Sequence, residues 1–206
     1  MSAQKTGLRG IRSRKTHMEN NDTYLQDHER ALIARASNGD HRAFSELFYA
    51  YKDMVHRVVY RLLGNSDEIN DAVQQTFIEL YKSLPGYAGK SKFTTWLYRI
   101  AVNVSIQYFR KRKINERNLE LDPEIMIGDE GEIELPGERK ELRKQLEEAI
   151  ASLHIRKRTV VVLHDIENRT MEEISEITGV PVGTIKSRLF YGRNELKKKL
   201  EKVIKL

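Results

Sequence analysis

The residues best able to do chemistry in this chain lie in two stretches that mix cations with aromatic rings. Between Gly86 and Lys113 stand seven basic residues (Lys90, Lys92, Arg99, Arg110, Lys111, Arg112 and Lys113) and no acidic one, interleaved with Tyr87, Phe93, Trp96, Tyr98, Tyr108 and Phe109. Near the C-terminus, Lys186, Ser187, Phe190, Tyr191, Arg193 and Asn194 surround an apolar stripe. Cations follow a phosphate backbone, aromatic faces hold unstacked bases, and Ser, Asn and Arg side chains meet base edges in a groove. Catalytic chemistry has no such footing. The six histidines show no metal-ligand spacing, and neither a glycine-rich phosphate loop nor a nucleophile motif occurs. We expect a nucleic-acid-binding protein that is not an enzyme, with no catalytic residue, no metal and no cofactor.

These side chains need elements to carry them. Apolar residues recur at helical spacing from Glu29 to Ser37 and again from Arg42 to about Leu63, through Phe44, Leu47, Phe48, Tyr51, Val55, Val58, Val59 and Leu62. Gly64-Asn65-Ser66 stops that helix, and Asp67 and Glu68 sit where the dipole of a third helix favours acids. The third helix carries Ile69, Val73, Phe77, Leu80 and Leu84 and ends at Pro85-Gly86. A fourth runs from about Phe93 to Lys113. No strand pattern appears.

From Ile114 to Glu138 the composition inverts, with nine acidic residues against one basic, punctuated by Pro123, Gly128, Gly131, Pro136 and Gly137. This reads as a solvated linker. Helices follow from about Arg139 to Ser152 and from Ile155 to Ile166, then a compact helical pair. The expected fold is all-α: two small helical domains joined by a flexible acidic linker, the C-terminal one holding a helix-turn-helix. The expected boundaries are 1–22 for a basic disordered tail, 23–113 for the first domain, 114–138 for the linker and 139–206 for the second.

The helix-turn-helix signal is local. Thr170-x-x-Glu173 is a capping box, Gly179 stands where a left-handed cap is wanted with Val180 after it, as in a Schellman ending, and Pro181 blocks continuation. A second helix then starts around Val182 to Thr184. With Ile185 turned inward, Leu189, Leu196 and Leu200 share its stripe. The segment from Gly86 to Lys113 is more ambiguous. Phe93, Trp96, Leu97, Ile100 and Val104 share one face of the fourth helix, and Tyr98, Val102, Ile106 and Phe109 share another, so pattern alone serves core packing and single-strand binding equally.

Charge and class agree. Lys+Arg number 36 against 30 for Asp+Glu, a formal net charge of +6, which favours a polyanionic partner. The chain has no cysteine, which excludes disulfide frameworks and thiolate metal sites and is compatible with the cytoplasm. No apolar run approaches the roughly 18 residues of a membrane span. Met1–Asn20 is basic without an apolar stretch, so it is not a secretory signal; Met18 is an alternative start.

Several strings resemble the extracytoplasmic-function sigma factors of bacterial RNA polymerase. They are Ser37-Asn38-Gly39-Asp40 with Ala43-Phe44; Asp71-Ala72-Val73-Gln74-Gln75-Thr76-Phe77-Ile78; Phe93-Thr94-Thr95-Trp96-Leu97-Tyr98-Arg99-Ile100-Ala101-Val102-Asn103; Met171-Glu172-Glu173-Ile174; and Val182-Gly183-Thr184-Ile185-Lys186-Ser187-Arg188-Leu189. The resemblance spans roughly residues 25–113 and 140–203. It implies a subunit that directs core RNA polymerase to promoters and melts them, is held inactive by an anti-sigma partner, and inserts into no membrane. It implies core-polymerase contacts at Asp71, Gln74, Gln75, Phe77, Ile78 and Tyr81. It implies capture of minus-ten DNA, including a base flipped from the non-template strand, by Tyr87, Lys90, Ser91, Lys92, Phe93, Trp96, Arg99, Asn103 and Arg110. For the minus-thirty-five duplex it implies Thr184, Lys186, Ser187, Arg188, Phe190, Tyr191 and Arg193. The acidic linker would lie in the polymerase's RNA exit path. His154, where many members carry proline, and Gln107, where many carry an acid, depart from the family pattern. A conventional helix-turn-helix regulator explains Thr170 to Leu200 equally well but leaves Gly86 to Lys113 without a purpose, and a purely protein-binding adaptor leaves the outward Lys and Ser positions unexplained.

Overall fold

The computed structural model describes residues 27–119 and 137–204, all of whose regular structure is helical. The basic tail and residues 120–136 of the acidic linker lie outside the described residues. The chain gathers into two compact units. The first takes the described residues up to Ala50 together with Ser83–Tyr87, and the second takes Tyr51–Lys82 and everything from Ala88 onward. Helices from both sides of the linker therefore share the second unit.

In the first unit, α1 (residues 27–37) turns into α2 (His41–Leu63) through Gly39, whose φ of 88° is open to glycine without strain. Asp40 makes the joint. Its Oδ1 accepts the backbone N–H groups of Arg42 at 2.9 Å and Ala43 at 3.1 Å, which are orphan donors of the α2 N-terminus. Arg35 Nε holds the other carboxylate oxygen at 2.9 Å. The Ala43 amide, then Arg35, keep the Asp40 carboxyl below its ordinary pKa. Leu32, Ile33, Ala36, Ala43, Leu47 and Leu84 are buried, and Ser37 Oγ donates to Leu84 O at 3.2 Å.

The second unit begins in α2. Gly64 ends that helix in the left-handed region at φ 70°, its N–H reaching Tyr60 O at 2.8 Å. The carbonyls left over at this end are met by two arginines. Arg112 Nη2 donates to Leu63 O at 3.1 Å, and Arg158 Nη1 donates to Leu62 O at 2.6 Å. α3 (Ile69–Ser83) starts two residues later than its acidic first turn suggested, because Ser66 Oγ accepts the Glu68 N–H and fixes residues 66–68 as a turn. A 3₁₀ turn (Leu84–Gly86) follows, and then α4 (Phe93–Leu119). α4 outruns the expected end at Lys113 by six residues, so the first residues assigned to the linker by composition are helical.

Past residues 120–136 come α5 (Gly137–Ala151), α6 (Ile155–Val161), a π turn (Val162–Ile166), α7 (Met171–Thr178) and α8 (Val182–Ile204). His154 starts α6: its Nδ1 accepts the Arg156 N–H at 3.3 Å, supplying an N-cap that proline could not. The single helix expected over Ile155–Ile166 is two pieces. Glu167 N–H reaches back five residues to Val162 O at 2.9 Å, which widens the last turn while Val162 and Leu163 stay fully buried.

α8 passes α6 at Gly192, which is buried. A Cβ there would meet Val161 Cγ2 at 2.8 Å. Valine has one preferred rotamer in a helix and cannot swing away. Gly192→Ala, which would gain about 1 kcal/mol of helix propensity in a free helix, should instead lower stability by about 1–3 kcal/mol through overpacking. Thermal denaturation of the single variant and of Gly192→Ala/Val161→Ala checks this, and the double variant should recover most of the loss.

Candidate nucleic-acid and polymerase interfaces

The helix-turn-helix is built as its sequence requires. Thr170 Oγ1 accepts the Glu173 N–H at 3.1 Å, and Glu173 Oε2 accepts the Thr170 N–H at 3.0 Å, closing the capping box. Gly179, at φ 68°, ends α7 by donating to Ser175 O at 2.9 Å. This is the simpler left-handed ending rather than the Schellman form. Pro181 O accepts from Thr184 N at 2.9 Å and Ile185 N at 3.1 Å, opening α8. Ile174, Ile177, Ile185 and Leu189 pack between the two helices in the buried core.

The outward side of α8 agrees with expectation. Thr184, Lys186, Ser187, Phe190, Tyr191 and Arg193 are exposed, while Arg188 is half-buried. Phe190 and Tyr191 are each 61 % exposed and meet edge to face at 5.4 Å. Two large rings thus stand in water on one cationic helix face. Arg193 is less free than its exposure suggests. Its Nε donates to Asp165 Oδ2 at 3.0 Å, its Nη2 donates to Asp165 Oδ1, and His164 Nδ1 lies 3.2 Å from Nη2. Burial, the largest single influence, pushes the Asp165 carboxyl up, but the Arg193 hydrogen bonds, that from His164 and the charge of both together hold it below its ordinary pKa. Asp165 was not foreseen, because the π turn that brings it against α8 breaks the period from which its position would be read.

The second cationic surface combines a loop and a helix. Lys90, Lys92, Arg99, Asn103 and Arg110 are exposed, Ser91 and Trp96 are half-buried, and Phe93 is drawn into the core at 3 % exposure. Tyr51, Phe93 and Trp96 form an aromatic chain with centroids 5.3 Å and 6.0 Å apart, so Phe93 supports Trp96 from below. Tyr87, half-buried, closes the preceding 3₁₀ turn, its N–H on Leu84 O at 3.0 Å. Asn103 and Arg110 line a cavity of about 1050 Å³ with Val102, Ile106 and Phe109 of α4 and, across it, Arg188 and Val180.

Farther toward its start, α4 is covered at Tyr98. Tyr98, 2 % exposed, donates its hydroxyl to Glu167 Oε2 at 2.7 Å, and the Arg169 guanidinium lies 4.9 Å over its ring. Burial first, then Glu167, push the Tyr98 hydroxyl well above its ordinary pKa, so it remains a donor. Thus α4 buries Phe93, Leu97 and Val104 on one face and Tyr98 and Val102 on the other.

On α3, Asp71, Gln74, Ile78 and Tyr81 stand exposed on one face, with Ile78 at 40 % and Tyr81 at 41 %. Gln75 is half-buried and donates to Glu79 Oε1 at 2.8 Å, while Phe77 is 5 % exposed and belongs to the core. Among the described residues no group of acidic residues and histidines is arranged to hold a metal ion, and no helix is long and apolar enough to cross a membrane.

Two family models match the chain, in order. Residues 47–114 fit the model of Sigma-70 region 2, and residues 143–196 fit that of Sigma-70 region 4. The chain is 37 % identical over 180 residues to the ECF RNA polymerase sigma factor SigW of Bacillus subtilis, covering 82 % of this chain and 94 % of that protein. It is 35 % identical over 182 residues to the ECF RNA polymerase sigma-E factor of Haemophilus influenzae, covering 84 % and 95 %. The fold is shared, at a TM-score of 0.62 and 22 % identity, with the sigma factor RpoE solved in complex with the anti-sigma factor NepR from Bartonella quintana, over 77 % of this chain and 96 % of that one. With an exposed cationic helix-turn-helix face, a basic aromatic segment before it, and both sigma regions matched in order, this chain belongs to the extracytoplasmic-function family of RNA polymerase sigma factors.

Proposed function

We propose that this chain binds core RNA polymerase through α3, captures the opened minus-ten strand with the loop and helix from Tyr87 to Arg110, and reads the minus-thirty-five duplex with α8. Residues 23–113 and 139–206 then act as two DNA-engaging modules; the expected tail, 1–22, and most of the expected linker, 114–138, lie outside the described residues. The protein works in the cytoplasm as a transcription initiation factor and not as an enzyme. The observation that carries this reading is the unburied face of α8, where Phe190 and Tyr191 stand in water beside Lys186 and Ser187. A face of this kind meets thymine methyls, base edges and phosphates in a major groove.

At the minus-ten element, Asn103 is the group suited to a flipped base, since its amide both donates and accepts. Lys90 and Lys92 hold the backbone, and Trp96 offers a ring for stacking. Unstacking costs a few kcal/mol, which only a fitted pocket offsets. On α3, Asp71, Gln74, Ile78 and Tyr81 form the polymerase-facing stripe; Gln75 and Phe77 hold its shape from behind. An anti-sigma partner is supported by the likeness to the RpoE fold, which was solved with NepR bound. The cavity beside α4 is an apolar groove rimmed by Arg110, Lys113, Arg156 and Arg188, suited to an acidic amphipathic segment.

Mixed with core polymerase and a promoter library, the chain should support specific initiation, which a duplex-binding regulator would not. Asn103→Ala should slow promoter opening by about tenfold, equivalent to a loss of about 1.4 kcal/mol, and leave initial binding nearly unchanged. Lys186→Glu should weaken binding to the upstream element by about tenfold or more, most strongly at low salt. Permanganate footprinting separates opening from binding, and normal behaviour of both variants would refute these assignments.

A further inference from the structure

Arg193 ends the outward stripe of α8. Lys186, Phe190 and Arg193 stand at i, i+4 and i+7, so they share one side of the helix, and all three are exposed. Arg193 is gripped side-on: its Nε donates to Asp165 Oδ2 at 3.0 Å and its Nη2 donates to Asp165 Oδ1, so both carboxylate oxygens are engaged. His164 Nδ1 stands 2.7 Å from the same Oδ1. A carboxylate only accepts, so the imidazole hydrogen that serves this contact is the one on Nδ1. The carboxylate is itself held on a firm support. Glu167 N–H reaches Val162 O and Arg169 N–H reaches Leu163 O, both at 2.9 Å, closing the π turn around Asp165, while Val162 and Leu163 are fully buried. Arg193 nevertheless keeps 53 % of its side chain in water. Asp165 does not use the two N–H groups of Nη1, which stay on offer.

On charge alone, an acid beside a DNA-facing cation is unfavourable, because it repels the phosphate that the cation attracts. Two effects offset that here. The pair is open to solvent, so its repulsion of a phosphate is screened by water and salt. The two-point grip also fixes the plane and direction of a side chain that otherwise gives up much rotamer freedom when it binds. Position along the helix then says what Arg193 meets. It is the twelfth residue of α8, about 16 Å along the axis from Val182. The first turns of a recognition helix meet base edges, and contacts beyond them fall to the phosphate backbone. From this geometry, and resting on the sigma reading above, we infer that Asp165 is a positioning residue. With His164 behind it, it presents Arg193 to a phosphate of the minus-thirty-five duplex, and so raises affinity without choosing sequence.

The test uses core polymerase assembled with the full chain, on a duplex promoter recovered from the library with the parent. Asp165→Asn keeps the size of the side chain but gives up its charge and one acceptor. It should weaken promoter binding by about fivefold, and by the same factor when single minus-thirty-five base pairs are changed. Asp165→Glu, which restores the carboxylate, should recover most of the loss. Arg193→Ala should bind about tenfold more weakly, with a log–log salt slope lower by about one, and adding Asp165→Asn to it should change nothing further. Equal or tighter promoter binding by Asp165→Asn would show an acid that only repels DNA. An undiminished loss in the Arg193→Ala background, with a lowered melting temperature, would show one that only holds the fold. Either result overturns the inference, and a loss confined to particular base pairs overturns the assignment to phosphate. Failure of the parent chain to initiate from any promoter would instead overturn the sigma reading.

Discussion

One guanidinium organises the second unit. Arg158 is buried in α6 with three carbonyl partners at helix ends and a connecting turn: Leu62 at the end of α2, Ala151 at the end of α5, and Leu153 just beyond. Each helix terminus leaves carbonyls unsatisfied and carries partial negative charge. A planar fork with five donors can serve several at once, which an ammonium could not do in the same geometry. Burial, assisted by the nearby Arg112 guanidinium, lowers Arg158 to about 10, which still leaves it charged at neutral pH. Its ring-face contact with Phe109, at 5.6 Å, replaces part of the lost hydration. Without this cation, two helix ends would face each other with unmet oxygens and like partial charge.

The remaining geometry follows from what that anchor brings close. Once α6 is held to the end of α2, the π turn behind it delivers Glu167 to Tyr98 and Arg61, and Asp165 to Arg193. Both carboxylates belong to one short stretch, yet they face opposite ways, one toward α4 and one toward the recognition helix. A regular α-helix through Val162–Ile166 would turn them differently. The widened turn is therefore where fold and site meet, as π segments often are.

Much of the C-terminal site was legible because its signals are local. A capping box, a left-handed glycine and a proline act within a few residues, and each stands where the pattern placed it. The exposed face of α8 followed from placing Ile185 inward. The residues that the family resemblance assigns to polymerase contact fall only in part on one exposed stripe of α3, Asp71, Gln74, Ile78 and Tyr81, while Phe77 lies in the core, because a motif does not distinguish a touching ring from a supporting one. Phe93 teaches the same lesson beneath Trp96. Least legible were the groups whose meaning is long-range. Arg158 is one basic residue in the run Arg156-Lys157-Arg158, and nothing near it in sequence marks it as the buried one; its carbonyl partner Leu62 lies 96 residues away. Composition likewise ended α4 too early, since acidic residues and asparagine can prolong a helix whose preceding turns are already packed.

Gly192 has a meaning beyond packing. Where α8 passes α6, a single hydrogen occupies the place in which any other residue would put carbon, and Val161 fills the room that remains. That close approach lies directly beside Phe190 and Tyr191, the two residues just before it, so the backbone that carries them is fixed from behind. The direction of this exposed face is thus held by an atom on the rear side of the same helix, between two residues that point the other way.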